Sequence, residues 1–384
     1  MLGTRHAPVL FALTIAGCAG VSPRPGAQDP ESLPVRVLST AEQERLTVLV
    51  EQLVQDAVLR RFAPAESGAV AALAIDPRCA RARAVRGIVL LQVAREVEPA
   101  DLFLANEGEA EVVMAELLAP EDPFVGWMRA QFLADSGHLS AASAAAEAAL
   151  SRSVGASAAE RAPLFGLAGS CRYELGEERA ALPLLQAYAE VRSDDSTAIF
   201  RIGSCLLRMS MLPTGPDDTR DSIALGHAER AARAFSRCVE LAPGDEDAAL
   251  AGGAATMRAA ELASACGRED RSREHLASAL EQFEAVADRF PANAEALFRI
   301  GVVEEQRGRS TAAIAAYEAA LARDEAHLGS LLNLAALLDA ELDPESADHA
   351  RAVEYMRRAL RIGTASGGLS TAERRQLEAR TRRS

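Results

Sequence analysis

Lysine is absent from this 384-residue sequence, so all 41 basic side chains are arginines. Aromatic residues make up only 4% of the chain, and tryptophan occurs once. The 55 acidic residues outnumber the arginines and give a net charge of −14. Proteins that bind nucleic acid normally carry a basic stripe, so this charge balance argues against nucleic-acid binding. Few large side chains and many alanines instead suit closely packed helices.

Cysteine is also scarce, and no two cysteines form a Cys-x-x-Cys pair. Five of the six lie in the body of the chain, an odd number for a disulfide framework. We expect these five to be buried as small apolar side chains. A disulfide between Cys171 and Cys205 is the alternative for two of them.

Motifs of enzymes and metal sites are missing as well. We find no Gly-x-Ser-x-Gly, no phosphate-binding loop and no dinucleotide fingerprint. The histidines do not follow metal-ligand spacing, and Asp217, Asp218 and Asp221 do not fit the calcium loop of an EF-hand. We therefore expect no catalytic activity, no cofactor and no metal site.

The first residues indicate export. Arg5 and His6 precede an apolar run over residues 7–15, which is shorter than the ~20 residues of a membrane span and is typical of a removed signal peptide. The run leads into Ile15-Ala16-Gly17-Cys18, which resembles the lipid-attachment motif of bacterial lipoproteins. The resemblance implies a signal peptide over residues 1–17, a lipid anchor on Cys18 and a place in the bacterial cell envelope. An ordinary secretory peptide is the alternative.

The residue after Cys18 and the segment that follows refine this expectation. Ala19 stands where some bacterial lipoproteins carry an aspartate that retains them in the inner membrane, which favours the outer membrane, with the protein facing the periplasm. Residues 20–34 contain four prolines and would span up to about 45 Å at ~3.1 Å per residue. We expect residues 18–38 to form an extended tether.

A repeated unit is clearest over residues 294–325, AEALFRIGVVEEQRGRSTAAIAAYEAALARDE. Its apolar residues recur every three to four positions, which predicts two helices with a turn at Gly308. Small residues at Gly301 and Ala313 would let the helices cross closely, and Tyr317 would fill the gap against the next pair.

This order of residue types resembles the tetratricopeptide repeat, which has a period of 34 residues. Gly169-Ser170-Cys171 recurs 34 residues later as Gly203-Ser204-Cys205, so the register is kept through one repeat. The resemblance implies an all-α fold, a right-handed α-solenoid of about eight antiparallel helix pairs over residues 39–364. A capping helix and basic tail would follow over residues 365–384.

Three segments interrupt the period, near residues 92–107, 209–222 and 259–272. After two of them the second helix of the pair arrives late, by about 16 and about 14 residues relative to the repeat. Each delay either lengthens the helices or adds a loop.

The resemblance also places a binding surface. In this family the first helix of each pair lines a concave groove, and its second, fifth, sixth, ninth, twelfth and thirteenth residues face the ligand. Carried over position by position, the groove would include Arg129, Phe132, Tyr173, Phe200, Arg201, Arg208, Arg258, Phe298 and Arg299.

Arginines beside aromatic rings suit an acidic or C-terminal peptide, because a guanidinium can hold a carboxylate through two hydrogen bonds. Salt bridges between repeats are the alternative role for these arginines. Carboxylate-clamp members of the family also use lysine, which this chain lacks.

Together these features favour a lipid-anchored, non-catalytic scaffold that binds another protein or peptide in the cell envelope, in outer-membrane assembly or secretion. A periplasmic subunit that binds a solute or cell-wall fragment in the groove, with residues 209–222 as a lid, is the alternative.

Overall fold

The computed structural model describes residues 29–97, 100–212, 218–339 and 347–383. Within these ranges the chain is helical and contains no strand. The predicted signal peptide and Cys18 lie outside the described residues. The chain divides into two compact units, Met1–Arg201 and Ile202–Ser384. No helix of the described ranges has both the length and the apolar character needed to cross a membrane.

The first unit consists of successive helix pairs. Its helices are α1 (Thr40–Val58), α2 (Phe62–Ile75), α3 (Ala80–Glu96), α4 (Leu102–Leu118), α5 (Pro123–Asp135), α6 (Leu139–Arg152), α7 (Ala158–Glu174) and α8 (Glu178–Val191). The boundary with the second unit falls within α9 (Ser196–Ser210).

The second unit continues the same alternation. Its further helices are α10 (Asp218–Leu241), α11 (Glu246–Ala265), α12 (Glu269–Arg289), α13 (Ala294–Gln306), α14 (Ser310–Arg323), α15 (Leu328–Asp339), α16 (Ala347–Ser366) and α17 (Thr371–Arg383). In the part of the chain that the structure describes, α1 to α16 make eight pairs, which agrees with the predicted all-α repeat architecture.

In six of the described pairs, the two helices cross at a glycine of the first helix. A Cβ added to Gly301 would lie 2.4 Å from the ring of Tyr317, and one added to Gly126 would lie 2.4 Å from the Cβ of Ala149. Contacts below 3.0 Å are not tolerated, so only glycine allows this approach. The predicted crossing at Gly301 is confirmed, but the ring of Tyr317 packs within its own pair, not only against the next one.

The turn between the two helices of a pair requires one residue in the left-handed backbone conformation. Gly137, Gly176, Gly267 and Gly308 each follow a first helix with φ between +68° and +83°. Glycine adopts this left-handed conformation without the steric penalty that a Cβ imposes. The turn between α1 and α2 places Arg60 at the same position, with φ +54°.

In the second unit, the delays in the repeat period correspond to helices that are longer than those of a standard repeat. The α11 and α12 helices have 20 and 21 residues, compared with 13 and 14 in α13 and α14. The added residues of α11 lie after its crossing glycine, and those of α12 lie before Phe283, which packs on that glycine. Both helices are therefore extended at the turn that joins them.

The α10 helix is longer still, with 24 residues. Its extra turns pack on those of α11 through a cluster of Ala224, Leu225, Ala228, Ala259, Leu262 and Ala263. Residues 213–217 of the predicted interruption near residues 209–222 lie outside the described ranges.

The start of the body differs in part from the predicted tether. The α1 helix is capped by Ser39, whose hydroxyl accepts from the backbone N–H of Glu42 while the Glu42 carboxylate accepts from the Ser39 N–H. The end of the predicted tether is docked, because Leu33 is buried and Arg36 donates to the carbonyl oxygens of Ala74 and Ile75. Those carbonyls belong to the end of α2, where helix acceptors are otherwise unsatisfied.

Candidate functional site

Two of the predicted groove residues of the first unit, Tyr173 and Arg201, lie together. Arg201 donates from Nη1 to the hydroxyl of Ser170 (3.1 Å), lies 3.6 Å from a carboxylate oxygen of Glu174 and has its guanidinium 5.9 Å from the ring centre of Tyr173. The structure thus brings Tyr173 and Arg201 together, on neighbouring first helices. Phe200, next to Arg201, is half-buried.

Arg129 is mostly buried against the second helix of the preceding pair. Its guanidinium lies 4.0 Å from Glu109 and 3.9 Å from Glu116, both on the second helix α4, and its side chain is 17% exposed. Arg129 therefore has the alternative role considered for these arginines, a salt bridge between neighbouring repeats. Phe132 is buried at 4% exposure in the apolar core of α3, α4 and α5, so its predicted place on the groove wall was wrong.

In the second unit, Arg258 also has a structural position. It donates to the backbone oxygen of Ser210 at the end of α9 (3.1 Å) and pairs with Glu261 one turn away (2.9 Å). A cation near a helix C-terminus is favourable because of the helix dipole. Arg208, on α9, is exposed.

The best-defined polar surface is formed by the first helices α13 and α15. On α13, Arg299 donates from Nε to Glu295 (2.6 Å), and its guanidinium lies 5.5 Å from the ring centre of Phe298. His327, at the start of α15, lies with its Nε2 3.2 Å from Glu295 and its ring centre 5.0 Å from that of Phe298. We call Glu295, Phe298, Arg299 and His327 the α13/α15 cluster.

The acidic and the basic side chain of the cluster are accessible to a binding partner. The side chains of Glu295 and Arg299 are 39% and 35% exposed, whereas that of His327 is 12% exposed. The hydrogen bond with His327, together with the charge of Arg299, lowers the pKa of Glu295 to about 2. Glu295 is therefore ionised at neutral pH, and a partner meets an ion pair beside an aromatic ring.

His327 is oriented by the helix that it begins. Its Nδ1 accepts from the backbone N–H of Ser330 (3.2 Å) and lies 2.9 Å from the Ser330 hydroxyl. This capping bond leaves the proton on Nε2, which then donates to Glu295. His327 is thus partly buried and links the two first helices.

The chain of Glu295, His327 and Ser330 has the composition of a hydrolase triad, but it lacks the geometry. Ser330 is fully buried, and His327 Nδ1 is already an acceptor for the backbone of the same turn. A nucleophile has to reach its substrate. This constellation therefore serves packing and capping.

Tyr317 connects the cluster to the core. Its ring lies 5.7 Å from that of Phe298, and its hydroxyl donates to Glu305 (2.8 Å) while accepting from Asn333 (2.9 Å). Each polar atom of this buried side chain is thus satisfied, which fixes α13, α14 and α15 relative to one another.

The five cysteines of the described ranges are free. Cys171, Cys205 and Cys238 are buried, as predicted, whereas Cys79 and Cys266 are only half-buried, so the prediction was wrong for these two. Burial raises the pKa of Cys171 and of Cys238 to about 11, so both stay protonated at neutral pH. In the same ranges, no group of three or more His, Cys, Asp or Glu side chains is placed to hold a metal ion.

Sequence reasoning found two members of the α13/α15 cluster and missed the other two. Phe298 and Arg299 follow from their positions in the repeat. Glu295 occupies the second position of α13, which the same rule marks as ligand-facing. His327 gave no signal, because it acts from the residue before α15 across 32 positions of sequence.

Comparisons with known proteins agree with this architecture. A family model described as "Tetratricopeptide repeat" matches residues 265–327, which include α12, α13 and α14. A comparison with curated proteins found no match.

Several solved structures share features of the fold at low identity. MamA from Desulfovibrio magneticus RS-1 is 19% identical with a TM-score of 0.40, covering 53% of this chain and 96% of its own. YrrB, described as a TPR protein with an unusual peptide-binding site, is 20% identical with a TM-score of 0.42, covering 57% and 95%. Pseudomonas aeruginosa pilF is 15% identical with a TM-score of 0.44, covering 67% and 97%.

Proposed function

We infer that this chain, which is a tetratricopeptide-repeat protein, is a non-catalytic scaffold that binds another protein through the α13/α15 cluster. The observation that carries the proposal is the accessible ion pair of Glu295 and Arg299 beside the ring of Phe298. Arginine and aromatic side chains are enriched where proteins bind one another, because they combine apolar area with directional hydrogen bonds.

The charges of the cluster define the partner more closely. Arg299 already holds Glu295, so a partner carboxylate would have to compete with an intramolecular ion pair. A segment that offers both a donor and an acceptor loses less on binding, because it can bond Glu295 and Arg299 at once. We therefore propose a polypeptide segment of mixed polarity whose apolar side chain packs on Phe298, rather than a C-terminal carboxylate.

We further propose that the scaffold is anchored in the bacterial outer membrane by a lipid on Cys18 and serves assembly or secretion there. The support is the sequence motif around Cys18, since each buried methylene of an acyl chain contributes ~0.8 kcal/mol to membrane affinity. Fractionation of cells that carry Cys18→Ser tests the anchor. We expect the variant to leave the membrane fraction, and its retention there would refute lipidation at this residue.

Site-specific photocrosslinking in cells tests the binding face. A photoreactive residue at position 299 should give discrete adducts of one polypeptide. The same residue at position 284, exposed on the second helix α12, is the matched control. Equal adduct patterns at the two positions, or none at position 299, would contradict the proposed face.

A further inference from the structure

A cavity in the first unit lies among α1, α2, α3 and α5. Its volume is about 60 Å³, and it opens to solvent. Nine of its lining residues are apolar: Ala57, Val58, Phe62, Ala65, Val85, Ile88, Val89, Trp127 and Met128. The others are Arg60, Gln131 and Asp135. Apolar walls that carry a few polar groups are typical of small-molecule sites.

Asp135 is the anionic group of this cavity. Gln131 donates to its Oδ1 (2.8 Å) and Gln92 to its Oδ2 (3.3 Å), so each oxygen keeps an unused lone pair. Among the described residues, no arginine or histidine nitrogen lies within 4.0 Å of this carboxylate. Desolvation by burial raises the pKa of Asp135, while its hydrogen bonds and the charges of Arg60 and Arg95 act in the opposite direction.

Arg60 is the cationic group of the same cavity. It occupies a turn position that glycine holds in four other repeats, and it adopts a left-handed backbone conformation with φ +54°. A residue with a Cβ is strained there by about 1–2 kcal/mol. Arg60 and Asp135 both line the cavity, and the positive charge of Arg60 opposes the effect of burial on the pKa of Asp135.

Both charged groups therefore reduce the stability of the fold. Strained backbone and desolvated charges persist at places where they serve binding, because selection for function opposes selection for stability. A ligand that supplies a cation to Asp135 and an anion to Arg60 would compensate both.

We propose that this cavity binds a free α-amino acid with an apolar side chain. The ammonium group donates to Asp135, the carboxylate accepts from Arg60, and the side chain packs on the apolar walls around Trp127 and Phe62. The inference is independent of the protein-binding face on α13 and α15, which belongs to the other unit.

Trp127, the single tryptophan of the chain, allows a direct test. L-Leucine titrated into the full-length protein to about 10 mM, well above a millimolar dissociation constant, should give a saturable change in tryptophan fluorescence. Three analogues each lack one group: 3-methylbutylamine lacks the carboxylate, 4-methylpentanoate lacks the ammonium group, and glycine lacks the apolar side chain. Each should bind at least tenfold more weakly.

Two variants remove the charged groups without threatening the fold. Asp135→Asn removes a desolvated charge, and Arg60→Gly removes the strained backbone, so both should fold at least as well as the parent chain. Each should weaken leucine binding at least tenfold. Glu121→Gln and Arg45→Gln, at exposed positions of the same unit, are charge-matched controls and should leave the affinity unchanged.

The outcomes separate clearly. Saturable binding of leucine that is lost in Asp135→Asn and Arg60→Gly but kept in the controls supports the proposal. No saturable binding by fluorescence and by equilibrium dialysis would overturn it. Equal affinity for leucine and for 4-methylpentanoate or 3-methylbutylamine would also overturn it, because one charged contact would then be absent.

Discussion

Gly301 and Tyr317 touch across the α13 and α14 pair so closely that a Cβ on Gly301 would come within 2.4 Å of the tyrosine Cε1. Tyr317 is fully buried and is bonded to Glu305 and Asn333, so its ring has no free space into which to move. The distance between α13 and α14 is therefore set by the absence of a side chain on Gly301.

We expect Gly301→Ala to lower the free energy of unfolding by about 1–3 kcal/mol, as overpacking does. Urea denaturation measures the change. Gly226→Ala in α10 is the control, because nothing lies within 4 Å of its added Cβ. There alanine should raise stability by about 0.5–1 kcal/mol through its helix propensity. A loss of stability in both variants would contradict the proposed crossing.

Arg60→Gly should stabilise the protein by about 1 kcal/mol, because glycine adopts the left-handed turn without a Cβ penalty. The free energy of unfolding is again the measurement. The matched change in the opposite direction, Gly137→Arg at φ +83°, should destabilise by a similar amount. Little difference between the two substitutions would show that the turn is not strained at Arg60.

Asp135→Asn should raise the free energy of unfolding at neutral pH by up to about 1 kcal/mol, because the carboxylate lies at the C-terminus of α5 and faces the helix dipole. Burial raises the folded pKa of Asp135 above its ordinary value of 3.8. The protonated form is therefore favoured by folding, and stability is lost as pH rises through the folded pKa.

The difference between Asp135→Asn and the parent chain should shrink as pH falls below 3.8. Thermal unfolding over a series of pH values measures it. A constant difference across the whole series would show that charge is not its cause.

Glu295 should show the opposite pH dependence. Folding lowers its pKa from the ordinary value of 4.5 to about 2. Its stabilising contribution is complete above pH 4.5 and is lost as pH falls towards 2. The stability gap between the parent chain and Glu295→Gln should close over that window, whereas Glu284→Gln, at an exposed position of α12, should give no such gap.

The sequence predicts the helix pairs because their signals are local. Gly301 and Tyr317 recur at fixed positions of the repeat, and Gly308 marks its turn. The turn at Arg60 carries no glycine, so no local signal in the sequence marks the end of α1. Phe132 follows the periodicity of the first helix but faces the core. A small change in the angle at which two helices cross decides whether a position at the edge of the apolar stripe is buried or exposed.

The site is harder to predict because it depends on contacts across repeats. His327 reaches Glu295 from 32 residues away, and the Asp135 cavity draws its walls from three successive first helices. No spacing rule along one helix can reveal such neighbours. The alanine-rich residues that extend α11 are compatible with a longer helix or a loop, so only the packing of Leu262 on α10 decides between them.

The joined ends of α11 and α12 grow beyond the standard repeat by seven residues each, close to two turns, or about 10 Å of additional length. Whole-turn growth returns the apolar stripe to its original direction around the helix axis, whereas two added residues would rotate it by about 200°. The tip at Gly267 can therefore gain or lose length in steps of seven residues without any change in the repeats beside it. This helical hairpin can therefore change in length during evolution while the neighbouring repeats keep their packing.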